Sequence, residues 1–236
     1  MRTEKRLSKA LSAAGVASRR ACEKLIFSGR VKVNGKTTLL PQTIVSWERD
    51  EIVVDGRKIQ GEEKKRYYIL NKPRGCVCSS RKASGERIVL DLFEKLGKEV
   101  RLFTVGRLDR DTTGLIIVTN DGLFANKVIH PSSNVKKEYL AKTSQEITAM
   151  HLMAVLKGTW VEGSFVKPVS VKKVRKGTLK VVVKEGKKHE VRELLANAGL
   201  KVLELSRIRI GRLILGSLRP GRWREMTESE RRMAVE

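Results

Sequence analysis

The sequence has few cysteines and few histidines. Its three cysteines are Cys22, Cys76 and Cys78, an odd number that lacks the regular spacing of a disulfide framework. Only one residue separates Cys76 from Cys78, which is too close for the usual pair of zinc ligands, and the three histidines are dispersed. We therefore expect reduced thiols in a cytosolic protein, and the sequence defines no metal site.

Long apolar runs are also lacking. No run approaches the about 20 residues that a membrane-spanning helix needs. Near the N-terminus the apolar residues are interrupted by Ser12, Gly15 and Ser18, which is unlike the apolar segment of a signal peptide. We expect a cytoplasmic protein with no membrane partner.

Acidic residues are scarce relative to basic ones. The 236 residues include 50 Lys and Arg but only 26 Asp and Glu, which gives a formal charge of +24. Residues 1–60 contain 13 of the basic residues and 6 of the acidic ones, so the excess is spread over the whole chain. A disordered tail would concentrate its charge, whereas this distribution favours basic faces on folded domains that bind a polyanion, with nucleic acid as the first candidate. A hydrophobic content of 40% excludes wholesale disorder.

Residues 1–60 show the pattern of a small domain. Apolar residues at helical spacing predict a first helix that ends at Gly15 and a second helix with Ser18 as its N-cap. Asn34 and Gly35 predict a hairpin turn between short strands. Basic residues cluster on or beside the second helix: Arg19, Arg20, Lys24, Arg30 and Lys32. Scattered lysines usually form a solvated surface, but this cluster has few acidic neighbours and suits the phosphate backbone of a nucleic acid.

The rest of the chain predicts a second, larger domain. Residues 61–66 are polar and charged and are interpreted as a linker. Strand and helix patterns follow in residues 67–236, and residues 158–184 alternate between apolar and polar residues as antiparallel strands do. The predicted fold class is α+β: a small helical and antiparallel-sheet domain in residues 1–60, then a larger, mostly antiparallel α+β domain in residues 67–236.

One stretch, residues 104–122, places charged residues directly before a core strand. Its first part contains Asp109 and Asp111 with Arg107 and Arg110, and its second part is an apolar β-branched run typical of a buried strand. A carboxylate that nearby guanidinium groups keep ionised can act as a nucleophile or stabilise a developing cation. The same residues could form a structural ion-pair network, and spacing alone favours that interpretation.

A third interpretation of this stretch is possible. The spacing Asp109-x-Asp111-x-Thr113 matches phosphoaspartyl enzymes, which use Mg²⁺ and place this motif after an apolar strand. Here the apolar strand follows the motif and two arginines crowd it, so this alternative is the weaker one.

Residues 106–115 and 119–122 resemble the signature of RNA pseudouridine synthases, most closely the branch that modifies single uridines of ribosomal RNA. The segments 71–75, 137–139, 185–192 and 207–227 support this resemblance. Residues 1–60 resemble a small RNA-binding domain that is shared with a ribosomal protein of the small subunit. The resemblance implies an isomerase whose partner is ribosomal RNA or a ribosomal-subunit precursor. It implies no cofactor, because nothing is oxidised, reduced or transferred, and we expect a monomer.

The resemblance also assigns roles to residues. Asp109 matches the catalytic aspartate, which attacks the uridine or assists cleavage of its glycosidic bond so that uracil rotates and rejoins through C5. Tyr139 matches a tyrosine that packs on the base, and Arg192 matches a basic residue that pairs with the aspartate. Val191 matches an apolar residue of the uracil pocket, and Arg107 an arginine that fills the space left by the flipped nucleotide. Flipping is required because the target atoms are inaccessible in a stacked helix.

Without the resemblance, Tyr139 would be an ordinary strand aromatic, Arg192 a surface arginine and Val191 a core residue. The chain departs from the branch at Lys188 and Glu190, where Asn and Gln are usual, which leaves the contacts at these two positions open. The alternative without catalysis is an RNA-binding or ribosome-assembly protein with the same fold. It explains the charge and the first domain, but not an intact set of catalytic residues.

Overall fold

The chain folds as two units, which a computed structural model describes for residues 4–79, 83–97 and 100–236. The first unit extends to Lys65 and includes residues 95–101; the second contains Arg66–Glu94 and Leu102–Glu236. Cys22, Cys76 and Cys78 are buried and form no disulfide bond in the structure. Among the described residues no helix has the length and apolarity to cross a membrane. The domain limits inferred from the sequence stay a prediction.

The first unit combines helices with short strands. Its helices are α1 (Leu7–Ala13) and α2 (Arg19–Phe27), and its strands are β1 (Lys5–Arg6), β2 (Val31–Val33), β3 (Lys36–Thr37), β4 (Ile44–Val45), β5 (Ile52–Val54) and β6 (Arg57–Lys58). Strands β3, β2, β5 and β6 form an antiparallel sheet in that order, and β1 pairs with β4.

Local sequence explains these elements. Ser18 caps α2, since its side chain accepts a hydrogen bond from the backbone N–H of Ala21 at 3.2 Å. The inner face of α2 buries Ile26. Asn34 and Gly35 both have positive φ, 51° and 78°, as the tight turn between β2 and β3 requires. The predicted helices and hairpin are therefore confirmed.

The second unit is built on a sheet of nine strands among the described residues. Its strands are β7 (Tyr67–Lys72), β8 (Phe103–Val105), β9 (Thr112–Thr119), β10 (Lys137–Thr143), β13 (Ser170–Arg175), β14 (Thr178–Val183), β15 (Val202–Ile210), β16 (Leu213–Ile214) and β17 (Trp223–Glu225). The order is β13-β14-β10-β15-β9-β7-β17, with β16 beside β15 and β8 beside β9. Strands β11 (Thr159–Val161) and β12 (Ser164–Val166) form a separate hairpin.

Helices accompany this sheet. They are α4 (Gly122–Ile129), α5 (Ala149–Lys157), α6 (Glu190–Asn197) and α7 (Glu228–Met233), with 3-10 turns at Val89–Phe93 and Pro131–Ser133. The short helix α3 (Glu94–Gly97) follows the first of these turns, and all of it after Glu94 belongs to the first unit. The core beside the sheet includes Ile69, Val105, Leu115, Ile117 and Val128, which are almost fully buried. The predicted α+β class is confirmed, because helices pack with a mainly antiparallel sheet.

Strands β9 and β15 are parallel neighbours, the exception in this sheet. Thr112 pairs with Leu205 and Gly114 pairs with Arg207. β9 therefore begins at Thr112, whereas the apolar run predicted a strand from Leu115. Gly114 has a φ of +103°, and a Cβ built there would lie 2.3 Å from the backbone oxygen of Arg207. Glycine thus allows the two strands to approach each other closely.

A β-bulge interrupts the pairing of β10 with β15. Glu138 pairs with Arg209 and Tyr139 pairs with Arg207, so Ile208 is the extra residue on β15. β10 keeps a regular register against β14, so its side chains alternate between the two faces of the sheet. Arg207 consequently shares a face with Tyr139, while Arg209 lies on the other face with Glu138.

Helix α6 begins at Glu190, later than the predicted start near Lys187. The reason is local: His189 has a φ of +59°, a left-handed conformation that a helix cannot include. The carboxylate of Glu190 accepts a hydrogen bond from the backbone N–H of Lys187 at 3.1 Å. The segment before α6 is therefore a turn that brings His189 to the front of the helix.

Candidate active site

The second unit contains a cavity of about 320 Å³, at the small end of the range for ligand pockets. The loop before β9, strands β10 and β15, and the start of α6 all contribute to its wall. The structure brings together the five residues that the sequence assigned to the catalytic domain: Arg107, Asp109, Tyr139, Val191 and Arg192.

Asp109 lies in the loop before β9, with basic groups near both carboxylate oxygens. The Nε2 of His189 is 3.6 Å from Oδ1, and the Nε of Arg192 is 4.0 Å from Oδ2. Arg192 also donates a hydrogen bond from Nη2 to the Oγ1 of Thr112 at 3.4 Å, which holds it beside the loop. The side chain of Asp109 is half-buried, so it is shielded but still accessible from the cavity.

A buried lysine fixes the loop that carries Asp109. Lys72 is fully buried at the end of β7, and its ammonium group donates hydrogen bonds to the backbone oxygens of Pro73, Arg110 and Thr112 at 3.2, 3.1 and 2.8 Å. Burial lowers the pKa of Lys72, because the charged form loses its hydration. The bonds to Arg110 and Thr112 tie the end of the loop, just after Asp109, to strand β7.

The other predicted residues contribute apolar surface and a charged rim. Tyr139 on β10 and Val191 in the first turn of α6 are both buried, and both line the cavity. Arg107 is exposed while it also lines the cavity, so its guanidinium group is free to contact a ligand outside.

Asp111 has different surroundings from Asp109. It is exposed, and its Oδ1 lies 3.2 Å from the Nε of Arg74, which is also exposed. Asp111 is not part of the cavity wall among the described residues. The geometry therefore gives the two aspartates separate environments, and that of Asp111 is an ordinary surface ion pair.

Sequence reasoning missed several residues of the cavity. Lys137 and Arg207 belong to segments that carried the resemblance, but nothing in the sequence showed that both would be buried here. His189 was placed inside a helix, and its approach to Asp109 depends on the turn before α6. Glu190 is buried in the wall, and burial raises the pKa of its carboxyl group.

The basic residues predicted to bind RNA lie on the first unit and are all exposed: Arg19, Arg20, Lys24, Arg30 and Lys32. Arg30 forms two hydrogen bonds of 2.6 Å with the carboxylate of Asp55, and Arg19 pairs with Glu23 at 3.3 Å. In the part of the chain that the structure describes, the other three form no ion pair. They are the residues of this cluster whose charge is uncompensated.

Comparison with known proteins supports the assignment of both units. The RNA pseudouridylate synthase family model matches residues 66–197, and the S4 domain model matches residues 5–52. The chain belongs to the RNA pseudouridine synthase family. A putative chloroplastic ribosomal large subunit pseudouridine synthase of Arabidopsis thaliana is 48% identical over 95% of this chain and 59% of its own length.

Other relatives match over nearly their whole length. An RNA pseudouridine synthase of Aquifex aeolicus is 42% identical, over 96% of this chain and 92% of its own. The ribosomal large subunit pseudouridine synthase B of Bacillus subtilis is 36% identical, over 95% and 93%. A crystal structure of a pseudouridylate synthase is 30% identical, with a TM-score of 0.70 over 97% of this chain and 99% of that one.

This pseudouridine synthase is thus an isomerase that acts on uridine in RNA, with an S4 domain at its N-terminus. The resemblance drawn from the sequence is confirmed. Family membership supports an isomerase rather than a phosphoaspartyl enzyme or a noncatalytic protein with the same fold.

Proposed function

We propose that this synthase converts one specific uridine of ribosomal RNA to pseudouridine, with Asp109 as its catalytic carboxylate. One observation supports the choice of Asp109 above all: its two oxygens lie near His189 and Arg192 in the same cavity as Tyr139. A carboxylate can attack as a nucleophile or stabilise a cationic sugar, and Arg192 places a positive charge beside this one.

The reaction rearranges one bond within the nucleotide. Asp109 attacks the uridine or assists cleavage of the bond between C1′ of the ribose and N1 of uracil. The base then rotates within the cavity and rejoins C1′ through C5. The proton on C5 leaves and N1 gains one, so the atoms of substrate and product balance. Tyr139 and Val191 supply the buried surface against which the base packs and turns.

The target base must leave its helix before this chemistry. Base stacking keeps C1′ and C5 away from any side chain, so the nucleotide is flipped into the cavity. We propose that the side chain of Arg107 fills the space in the RNA helix that the flipped nucleotide vacates, because Arg107 is exposed at the wall of the cavity. The exposed cluster Arg19, Arg20, Lys24, Arg30 and Lys32 in residues 1–60 holds the RNA backbone, and residues 67–236 carry out catalysis.

Replacement of the catalytic carboxylate tests this proposal. Asp109→Asn should abolish tritium release from RNA labelled at uracil C5, because the neutral amide cannot act as nucleophile, while RNA binding persists. Asp111→Asn is the matched control, since it removes the same charge two residues away, and it should keep most of the activity. Full activity of Asp109→Asn would refute the assignment.

We infer that the target lies in the RNA of the large ribosomal subunit, because the Bacillus subtilis and Arabidopsis thaliana relatives are named for that subunit. Pseudouridine mapping of ribosomal RNA from cells with and without the enzyme tests this, and one large-subunit position should lose its modification. Loss of a small-subunit position would contradict it. Assays with free RNA and with subunit precursors would identify the form of the RNA that is modified. We place this reaction in the cytosol, which the small number of cysteines without a disulfide pattern suggests.

A further inference from the structure

Two buried cations in the cavity have no role in the reaction as described so far. Lys137 on β10 and Arg207 on β15 both line the cavity, yet their exposed fractions are only 9% and 5%. Lysine and arginine are rarely buried to this degree unless they are paired with an acidic group. Their presence in the wall therefore needs a physical reason.

The bulge at Ile208 is what turns Arg207 into the cavity. In a regular strand Arg207 and Arg209 would share a face, because side chains two residues apart do. Here Arg207 pairs with Tyr139, whereas Arg209 pairs with Glu138 on the other face, with a separation of 2.7 Å between Nε and Oε2. Bulges beside active sites commonly redirect a side chain in this way.

In the described part of the chain neither cation forms an ion pair with a carboxylate, although the charge of Glu190 acts on Lys137. Arg207 donates from Nε to the backbone oxygen of Leu115 at 2.8 Å, and its Nη2 is buried without a hydrogen-bond partner. Lys137 donates to the backbone oxygen of Lys184 at 3.0 Å. Burial and the charge of Arg207 lower the pKa of Lys137 by more than the charge of Glu190 raises it, so the two cations are close enough to repel each other.

The acidic groups of the cavity wall are Asp109, Glu185 and Glu190, and none of them forms an ion pair with Arg207 in the described part of the chain. Glu185 pairs with Lys187 at 3.2 Å. The carboxyl group of Glu190 accepts a hydrogen bond from Lys187, and burial raises its pKa, which favours the neutral form. Asp109 has His189 and Arg192 as its neighbours. Arg207, whose Nη2 has no hydrogen-bond partner, can therefore accommodate a ligand with negative charge or strong acceptor oxygens.

We propose that Arg207, with Lys137 beside it, contacts the oxygens of the flipped uracil and stabilises the negative charge that the base acquires during the reaction. This inference rests on the proposed function. When the bond from C1′ to N1 breaks, its electron pair stays on the base and is shared among N1, O2 and O4. If Asp109 instead attacks the base at C6, the electron pair moves to O4. Both routes place charge on the base, and both return it when C5 bonds to C1′ and loses its proton.

The base is a better ligand for Arg207 than a backbone phosphate. As cross-strand partners, Arg207 and Tyr139 have neighbouring side chains on one face of the sheet, and Tyr139 is the residue that packs on the base. Both are buried, as is Val191. A phosphate would remain near exposed basic residues such as Arg107. Fixed cations in a water-excluded site are most effective on charge that appears during the reaction.

Single-turnover rates with saturating enzyme test the role of Arg207. Arg207→Gln should slow pseudouridine formation by about 100-fold or more, the scale of losing one donor to developing charge. RNA affinity and its salt dependence should stay close to those of the unmodified enzyme. Arg209→Gln is the matched control on the same strand and should change the rate little. A loss confined to RNA affinity would overturn the proposal in favour of a phosphate contact.

A second substrate separates charge stabilisation from a structural role. Fluorine at C5 stabilises negative charge on uracil, so RNA with 5-fluorouridine at the target should depend less on Arg207. The loss caused by Arg207→Gln, measured as disappearance of the target nucleoside after digestion, should be at least tenfold smaller on this RNA. Equal losses on both RNAs would overturn the proposal.

Two further measurements keep the result interpretable. If Arg207→Gln does not fold, Arg207→Lys replaces it, since lysine retains the charge. The rate loss in Arg207→Lys should be smaller than that expected for Gln, and it should again be larger on the uridine RNA than on the 5-fluorouridine RNA. An equal rate loss on the two RNAs would overturn the proposal. The unmodified enzyme tests the proposed function by itself. If it forms no pseudouridine, the function fails; if it does and Arg207→Gln is equally fast, only the role of Arg207 fails.

Discussion

At the scale of single residues, the surroundings of Asp109 suit a group that must change partners. His189 and Arg192 lie 3.6 and 4.0 Å from its oxygens, beyond the length of a strong charge-assisted hydrogen bond. Arg192 provides positive charge, and the imidazole of His189 provides a polar neighbour, without either group occupying the carboxylate. Arg192 is itself held by Thr112, and the loop is held by Lys72, so Asp109 can reach a substrate from a fixed backbone.

Gly114 is the residue that lets β9 and β15 meet beneath the cavity. In Gly114→Ala the new Cβ would lie 2.3 Å from the backbone oxygen of Arg207 and 2.6 Å from the Oγ of Ser206, at a φ of +103°. Backbone atoms cannot give way cheaply, so we expect a loss of about 3 kcal/mol or more in the free energy of unfolding. Urea unfolding followed by circular dichroism measures it.

Gly216→Ala is the control for that prediction. Gly216 also has a positive φ, 64°, but a Cβ there would meet nothing within 4 Å. It should lose only about 1–2 kcal/mol, the usual cost of a left-handed conformation for alanine. Equal losses in the two variants would show that backbone conformation, and not the close approach of the strands, makes Gly114 necessary.

At the scale of elements, the sequence predicts the helix starts and turns that are determined by neighbouring residues. The start of α2 follows from the cap at Ser18, and the turn between β2 and β3 follows from Asn34 and Gly35. The parallel pairing of β9 with β15 joins segments about ninety residues apart, and no sequence pattern near either strand predicts it. The bulge at Ile208 is likewise defined only against β10. Because this bulge selects which arginine enters the cavity, that part of the site could not be predicted.

Helix α7 is a short element whose stability should depend on pH. Glu230 accepts hydrogen bonds from Arg224 at 2.6 and 2.8 Å and from the backbone N–H of Thr227 at 2.9 Å. The hydrogen bonds from Arg224 are the main cause that lowers the pKa of Glu230 to about 2. Since the folded pKa lies below the usual value, the carboxylate stabilises the fold at neutral pH, and this contribution is lost as the pH falls from about 5 towards 2.

Glu230→Gln should therefore lose about 1–2 kcal/mol of unfolding free energy at pH 7, a value reduced for partial solvent screening. The difference from the unmodified enzyme should shrink as the pH is lowered to 3, in urea titrations at each pH. Glu228→Gln is the control, because the pair of Glu228 with Arg232 is exposed and should contribute little. A difference that does not change with pH would contradict the linkage.

At the scale of the whole molecule, a formal charge of +24 has to be divided between binding and structure. Many of the basic residues are already committed to ion pairs, as Arg49 is with Glu4 and Lys58 is with Glu51. Others, such as Lys72 and Arg207, are buried. The basic residues available to RNA are therefore fewer than the 50 that the chain contains, and they are the exposed ones without acidic partners.

This division predicts which charges determine RNA affinity. Replacing Arg20 and Lys24 together by Gln should weaken RNA binding and reduce the slope of log affinity against log salt concentration by about 1–2. The reason is that each phosphate contact releases counterions from the RNA, and a variant with fewer contacts releases fewer of them. Binding isotherms between low and physiological salt measure both effects. The single-turnover rate at saturating enzyme should not change, since neither residue lies in the cavity wall.

The matched control removes the same charge from paired residues. Replacing Arg49 and Lys58 together by Gln lowers the net charge by two but releases the carboxylates of Glu4 and Glu51. If specific uncompensated residues bind the backbone, this variant should keep a slope close to that of the unmodified enzyme. If both double variants lower the slope equally, the net charge governs binding and the cluster beside α2 has no special part in it.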